Sequence, residues 1–352
     1  MAKVLDFLNT VFVKGFWQTF CVKWVWQTFF VAWIYKAFYK TFVIKTLKFE
    51  KWKGWMYLLP AIVLIMIFTV YPIINTLRLA FTERYNGLNP SYVTYEIGFF
   101  NFEHVMESKT FITSLKNTML ICFITVPLST ILALLIAVCL NAIKPLQRFL
   151  QTIFFLPYVT NSIAIGMVFA AMFNIVGDVA NPDSLGLANS FLKLFGVDPI
   201  NFINAGSTYG KNILVLVIYI VWNALPFKIL VLLGALQSIN KQYYDAAKID
   251  GTPRWRVFTR ITVPLLSPMI AYVVITGFIG GFKEYSSIVG IFGEKMGPVG
   301  GNFRLDTMVG YIYRVIPIGD YGYASAAALI LFAIIFVVTM INLYVSKKKT
   351  HY

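Results

Sequence analysis

Histidine, cysteine and serine chemistry is thinly supplied in this 352-residue chain. The two histidines are His104 and His351, and neither a Ser-His-Asp set nor a His-Glu-x-x-His helix can be assembled around them. Cys21, Cys122 and Cys139 lie in apolar stretches, with no CxxC spacing and no histidine at metal-ligand distance, so they read as buried, inert thiols. One string, Ala205-Gly-Ser-Thr-Tyr-Gly-Lys-Asn212, imitates a phosphate loop. A phosphate loop needs Gly at its first position and Ser or Thr after the lysine, and Ala205 and Asn212 stand there instead. The chain is therefore expected to carry no catalytic residues, no metal and no ATP site or other cofactor of its own. The polar groups that stand out lie inside long apolar runs: Tyr158 and Asn161, then Trp222, Asn223 and Lys228, then Phe282, Lys283, Glu284 and Tyr285. Ionisable and amide groups at bilayer depth are costly and by default mark a solute pathway. Aromatic faces beside amides and charges suit a sugar, which needs stacking surfaces and many hydrogen bonds. The competing reading makes Trp222 and Phe282 packing residues and puts Lys283 and Glu284 in the outer headgroup zone. Adjacent helix positions do not face each other, so Lys283 and Glu284 are expected to have different partners.

The elements that must position these groups follow from composition. The chain is 59% hydrophobic and 13% charged, with a mean hydropathy of +0.72. A soluble domain carries about 25% charged residues, so a water-soluble enzyme and a disordered chain are excluded. Uncharged windows run over Gly54–Leu77, Asn117–Ile143, Phe149–Gly177, Ile261–Phe282 and Tyr321–Ser346, and Asn212–Asn240 is interrupted only by Lys228. Each exceeds the roughly 20 residues a transmembrane helix needs. The expected fold is thus all-α, a polytopic membrane protein with six core spans in a permease region over 54–346. By the helical rise, Asn223 lies roughly 20 Å, Lys283 roughly 22 Å and Asn161 roughly 18 Å above the inner surface, so they share a level. Gly277 and Gly281 have the spacing of a helix-packing pair.

Charge sets the orientation. With the N-terminus in the cytoplasm, the inner segments are 1–53, 144–148, 241–260 and the tail 347–352. They hold 19 Lys/Arg and four acids, whereas the rest of the chain holds 11 of each. The whole +15 lies on one side, as the positive-inside rule requires, which places both termini in the cytoplasm and makes nucleic acid an unneeded partner. Residues 1–53 carry nine lysines and two acids together with Trp17, Trp24, Trp26 and Trp33. No Ala-x-Ala cleavage site follows, so a signal peptide is not expected. The lysine-free window Trp24–Tyr35 is too short to span. A basic, aromatic interfacial helix fits better, with a broken helix or a steep insertion as the alternatives.

The most informative stretch is the inner loop 241–268, which contains Tyr244-Asp-Ala-Ala-Lys-Ile-Asp-Gly251 and then Thr252, Pro253, Arg254, Phe258, Ile261, Pro264 and Pro268. Ala246 and Ala247 permit close approach of a partner backbone. Asp250 and Gly251 break a helix over Gln242–Ile249, and Thr252-Pro253 reads as an N-cap with Pro at the first helical position. The expected result is a helix-turn-helix on the cytoplasmic face, bearing Arg254, Arg256 and Arg260.

This loop resembles the "EAA" loop of the membrane subunits of bacterial binding-protein-dependent ABC importers, with Asp245 in place of the usual Glu. The resemblance extends over roughly 54–345 through Leu115-Lys-Asn-Thr118, Phe154-Phe-Leu-Pro-Tyr158, Gly186-Leu-Ala-Asn189, Leu236-Gln-Ser-Ile239 and Asp320-Tyr-Gly-Tyr-Ala-Ser-Ala326. It is nearest to the maltose, multiple-sugar and glycerol-3-phosphate permeases. The resemblance implies a type I importer permease fold in a bacterial cell membrane and a second, homologous permease subunit. It also implies two ATPase subunits that bind the ATP and magnesium, and an external solute-binding protein. Asp245, Ala246, Ala247, Asp250, Gly251, Arg254, Phe258 and Pro264 would then couple to an ATPase. The rival reading is an ion-coupled secondary transporter, for which Glu284 is the one available carboxylate and no inverted repeat is visible.

Overall fold

The computed structural model describes residues 53–88, 96–143, 147–177, 182–301 and 303–349. The interfacial segment expected over 1–53 therefore lies, but for Lys53, outside the described residues. The chain divides into two units, 1–75 and 76–352. In the first, α1 (Lys53–Ile65) passes through a π-helical turn (Met66–Val70) into α2 (Tyr71–Phe81), inside which the division falls.

The second unit continues with α3 (Phe100–Glu107), α4 (Lys109–Ala142), α5 (Gln147–Val159), α6 (Ser162–Phe173), β1 (Ile175–Gly177), β2 (Pro182–Leu185), α7 (Leu187–Lys193) and α8 (Tyr209–Ser238). It ends with α9 (Lys241–Ile249), α10 (Arg254–Val257), α11 (Val263–Phe282), α12 (Ser286–Phe292), α13 (Met308–Val315) and α14 (Tyr321–Lys349). A π-helical turn (Phe258–Thr262) joins α10 to α11 without a break. The expected all-α class holds, with a small antiparallel hairpin, β1–β2, as its one sheet among the described residues.

Among the described residues, five helices are long and apolar enough to cross a membrane: Gly54–Phe81, Lys109–Ala142, Tyr209–Ser238, Arg254–Phe282 and Tyr321–Lys347. The span expected over Phe149–Gly177 is instead two shorter helices, α5 and α6. Asn161 causes the break. Its side-chain oxygen accepts the backbone N–H groups of Ile163 (2.9 Å) and Ala164 (3.4 Å), so it caps a new helix rather than continuing the old one. An uncharged run records hydropathy and is blind to such a cap. The same run overshoots at its end, because Asn174 closes α6 and residues 175–177 pair as β1.

α4 and α8 form the axis of the second unit. Beside α6 and α12, Ile121 meets Leu216, Tyr219 and Ile288; toward the opposite end, Ala133 and Ala137 meet Ile229, Leu232 and Leu266. α14 and α13 close the other flank through Phe111, Met308, Tyr311 and Ala326. Small residues set the closest approaches. A Cβ on Gly166 of α6 would lie 2.7 Å from the Gly290 Cα of α12. A Cβ on Gly281 of α11 would lie 2.8 Å from the Cys122 sulfur of α4.

Buried asparagines fasten the loops at the end of the unit remote from α9 and α10. Asn117 donates to the carbonyls of Arg304 (3.1 Å) and Asp306 (2.8 Å) and accepts the Tyr209 hydroxyl (2.7 Å). Asn189 exchanges two hydrogen bonds with Ile200, and Asn212 holds the Phe202 carbonyl and Ser207. Most buried polar atoms are paired, and each of these pairs fixes an irregular segment, although the Asn212 side-chain oxygen has no partner among the described residues. Asn117 and Asn189, which belong to phrases that carry the family resemblance, are thus structural staples. Nearby, burial pushes the Asp306 carboxyl up to about 6, against the pull of the Arg314 guanidinium 2.7 Å away.

Candidate solute cleft and coupling loop

A cleft of about 410 Å³ opens among α4, α5, α8 and α11. Its wall carries Thr125 and Ser129 from α4, Tyr158 from α5, Asn223, Phe227 and Lys228 from α8, and Thr276, Gly277, Gly280 and Gly281 from α11. Thr160 and Ser162 enter from the α5–α6 break, and Glu284 and Ser287 from the start of α12. Tyr158 and Phe227 stack with ring centroids 5.9 Å apart and planes at 20°, which gives the cleft an aromatic face. The hydroxyls on α4 are inward because Thr125 and Ser129 are one helical turn apart on a single face.

Lys228 is 4% exposed, and its ammonium donates to the Val126 carbonyl (3.2 Å), the Ser129 hydroxyl (2.7 Å) and the Thr130 hydroxyl (2.9 Å). All three N–H bonds of the ammonium have partners, and all three partners are neutral groups of α4. Gly277 makes room for it: a Cβ there would stand 3.2 Å from the Lys228 nitrogen. Asn223 donates to Ser162 at 3.2 Å, which links α8 to the cap of α6. Glu284 accepts the backbone N–H of Ser287 at 3.2 Å, and its own carbonyl accepts the Thr307 hydroxyl at 2.9 Å.

The pathway residues expected from sequence thus divide. Tyr158, Asn223 and Glu284 come together on the cleft wall. Asn161 sits beside it as a cap. Trp222 faces outward and packs on Phe169 at 5.2 Å. Phe282 is wholly buried against Phe123 and Phe278. Lys283 is an exposed residue at the C-terminus of α11, and Tyr285 packs on Tyr313 at 4.7 Å. Lys283 and Glu284 both lie past the last helical residue of α11, Lys283 exposed as its cap and Glu284 half-buried on the cleft wall, so helix periodicity does not decide their partners. Sequence reading missed Thr125, Ser129, Phe227 and Thr276. The spacing of hydroxyls within α4 was the available signal for two of them.

The second feature is the α9–α10 loop. Asn240 caps α9 by accepting the Gln242 N–H at 3.0 Å. At the other end, Gly251 N–H bonds to the Lys248 carbonyl (3.1 Å) and Thr252 N–H to the Ala247 carbonyl (2.9 Å). Those two bonds and the φ of +65° at Gly251 make a Schellman motif. The expected Asp250-Gly251 break is present, but the cap of α10 is shifted by one residue: Pro253 is the N-cap and Arg254 the first helical residue. Pro253 has extended ψ, 145°, which removes it from the helix proper. Ala247 is buried while Asp245, Ala246, Asp250 and Arg254 are exposed, and Phe258 and Pro264 are half-buried where α10 turns into α11. Asp245 pairs with Lys248 at 3.1 Å on the exposed face, an arrangement worth little to stability. Two large apolar side chains stand out from this loop: Ile249 is 87% and Trp255 72% exposed. A pair of such knobs on a rigid turn is a surface built to be covered.

A cleft with convergent polar groups inside a bundle of membrane-length helices, with an exposed apolar turn at one end, fits the membrane subunit of a transporter. Over residues 125–351 the chain matches the family described as binding-protein-dependent transport system inner membrane component, and it belongs to that family. Among its relatives are the lactose transport system permease protein LacF of Rhizobium radiobacter, 28% identical over 84% of this chain and 94% of that protein. The arabinooligosaccharides transport system permease protein AraP of Bacillus subtilis strain 168 is 30% identical over 84% of this chain and 89% of its own length. The trehalose/maltose transport system permease protein MalF of Thermococcus litoralis is 28% identical over 86% and 96%. In fold, the chain resembles a solved bacterial ABC transporter involved in the import of the acidic polysaccharide alginate, with a TM-score of 0.70, 24% identity and coverage of 88% and 99%. Membership of this family sets aside the ion-coupled transporter.

Proposed function

We propose that this chain forms part of the translocation pathway for a carbohydrate handed over by an external binding protein, and that it performs no covalent chemistry itself. The observation that carries this reading is the cleft: stacked Tyr158 and Phe227 beside Asn223, Glu284 and a series of hydroxyls. Stacking faces with convergent hydrogen-bonding groups are what a sugar requires. The names of the relatives, which specify lactose, arabinooligosaccharides and trehalose/maltose, support the same substrate class. The permease region is 54–346, and a second, homologous permease subunit would complete the pathway. Two ATPase subunits on the cytoplasmic side would hold the ATP and magnesium and dock on Asp245–Phe258. A solved relative in fold that is described in complex with a sugar-bound periplasmic protein supports the binding-protein partner.

Two measurements test this. In the reconstituted importer, Asn223→Ala should lower transport affinity about tenfold or more, since an unpaired buried hydrogen-bonding group costs about 1–3 kcal/mol. Substrate-free ATPase activity should change little. Unaltered uptake would place the solute on another face. Orientation is tested by single cysteines: one within 241–260 should be labelled only from the cytoplasm and one within 180–205 only from outside. Labelling of both from one side would overturn the topology.

A further inference from the structure

Lys228 and Glu284 are the two charged residues on the cleft wall, and they are not equivalent. Lys228 is spent. Its nitrogen is buried, and its three donors are taken by Val126, Ser129 and Thr130. A substrate anion could gain a direct hydrogen bond from it only by displacing one of those partners, leaving a buried acceptor unpaired. Glu284 is half-buried on the wall. One of its oxygens accepts the Ser287 N–H, and its backbone is held by Thr307. Among the described residues its second carboxylate oxygen has no hydrogen-bond partner, so the negative charge is fixed in place with accepting capacity left over.

Resting on the carbohydrate reading above, we propose that Glu284 is a specificity-determining residue that makes the pathway refuse acidic sugars and accept neutral or amine-bearing ones. A neutral sugar hydroxyl, or an ammonium, donates to the free oxygen. A uronate or a sugar phosphate brings a second anion to the same wall, where the surrounding protein screens the repulsion far less than water does. The selection is by charge and therefore independent of which neutral sugar is carried.

The test uses the complete importer, both permeases and both ATPases, in nanodiscs without nucleotide or binding protein, so that the external protein cannot impose its own selectivity. Saturation-transfer NMR is recorded for a panel of neutral mono- and disaccharides, each paired with its C6-carboxylate counterpart. Wild type should bind at least one neutral member about tenfold or more tightly than its acidic partner, with the gap narrowing at high salt. Glu284→Gln should close most of the gap, whichever way the neutral sugar's own affinity moves, and Glu284→Asp should restore it. Equal binding of both members to wild type overturns this inference and leaves the carbohydrate pathway standing. A gap that survives Glu284→Gln overturns it as well, and assigns the discrimination to another group. Absence of binding by every sugar refutes the carbohydrate reading and this inference with it.

Discussion

Gly166→Val should cost this protein about 3 kcal/mol or more of stability, the largest effect expected of any single substitution here. The Cβ it introduces would lie 2.7 Å from the Gly290 Cα and 3.0 Å from its carbonyl carbon. Both are backbone atoms of α12, which no rotamer change can move aside, so α6 and α12 must separate. Overpacking that forces backbone shifts costs about 1–3 kcal/mol or more, and here it also opens the packed layer of Phe169, Tyr219 and Ile288 beneath. The cleft suffers in turn, because Ser162 and Ser287 lie in the first turns of the two helices that are pushed apart. Thermal unfolding of the detergent-purified chain should show a markedly lower midpoint, and Gly290→Val should do the same. Wild-type stability in both variants would mean that the helices do not meet at these glycines.

Gly251→Val acts differently. Nothing lies within 4 Å of the position its Cβ would take, so no clash arises. The penalty is conformational: φ is +65°, a region that costs a β-branched residue about 1–3 kcal/mol. The Schellman bonds from Gly251 and Thr252 would be lost and α10 would leave its angle to α9. The chain should still fold, since the turn buries little, while ATP-driven uptake in the reconstituted importer should fall by at least about tenfold. Asparagine tolerates left-handed backbone, so Gly251→Asn should recover much of the loss. Asp245→Lys, on the exposed face of α9, should weaken assembly with the ATPase. Normal transport by Gly251→Val and normal assembly of Asp245→Lys together would refute a docking role for this loop.

The difference between these two glycines shows what a sequence discloses. Gly251 was legible because its constraint is local: Ala-Ala-Lys-Ile-Asp-Gly announces a helix, its stop and its left-handed cap within eight residues. Gly166 was not, because its constraint is a contact with Gly290, 124 residues away. The same rule governs the cleft. Asn223 and Glu284 were visible as polar groups in apolar surroundings. Phe227 was not, since an aromatic residue in an apolar helix differs in no way from packing until Tyr158 is found stacked on it. Trp222, Phe282 and Tyr285 were drawn in as aromatics; helical phase turns Trp222 and Phe282 away from the cleft, and Tyr285, in the non-helical step between α11 and α12, packs on Tyr313 instead. The broken span failed for a related reason: hydropathy registers that residues 149–177 are apolar, not that Asn161 intercepts two backbone donors within them.

Ile249 and Trp255, standing clear of the α9–α10 turn, have a consequence for the life of the chain in a cell. A subunit made in excess of its partners would present two large apolar side chains that folding alone cannot hide. Such surfaces are what chaperones and proteases recognise. The half-life of this polypeptide should therefore be set less by its own thermal stability than by how quickly a partner covers that turn, so that an orphan copy is removed and the abundance of the subunit follows that of whatever docks there.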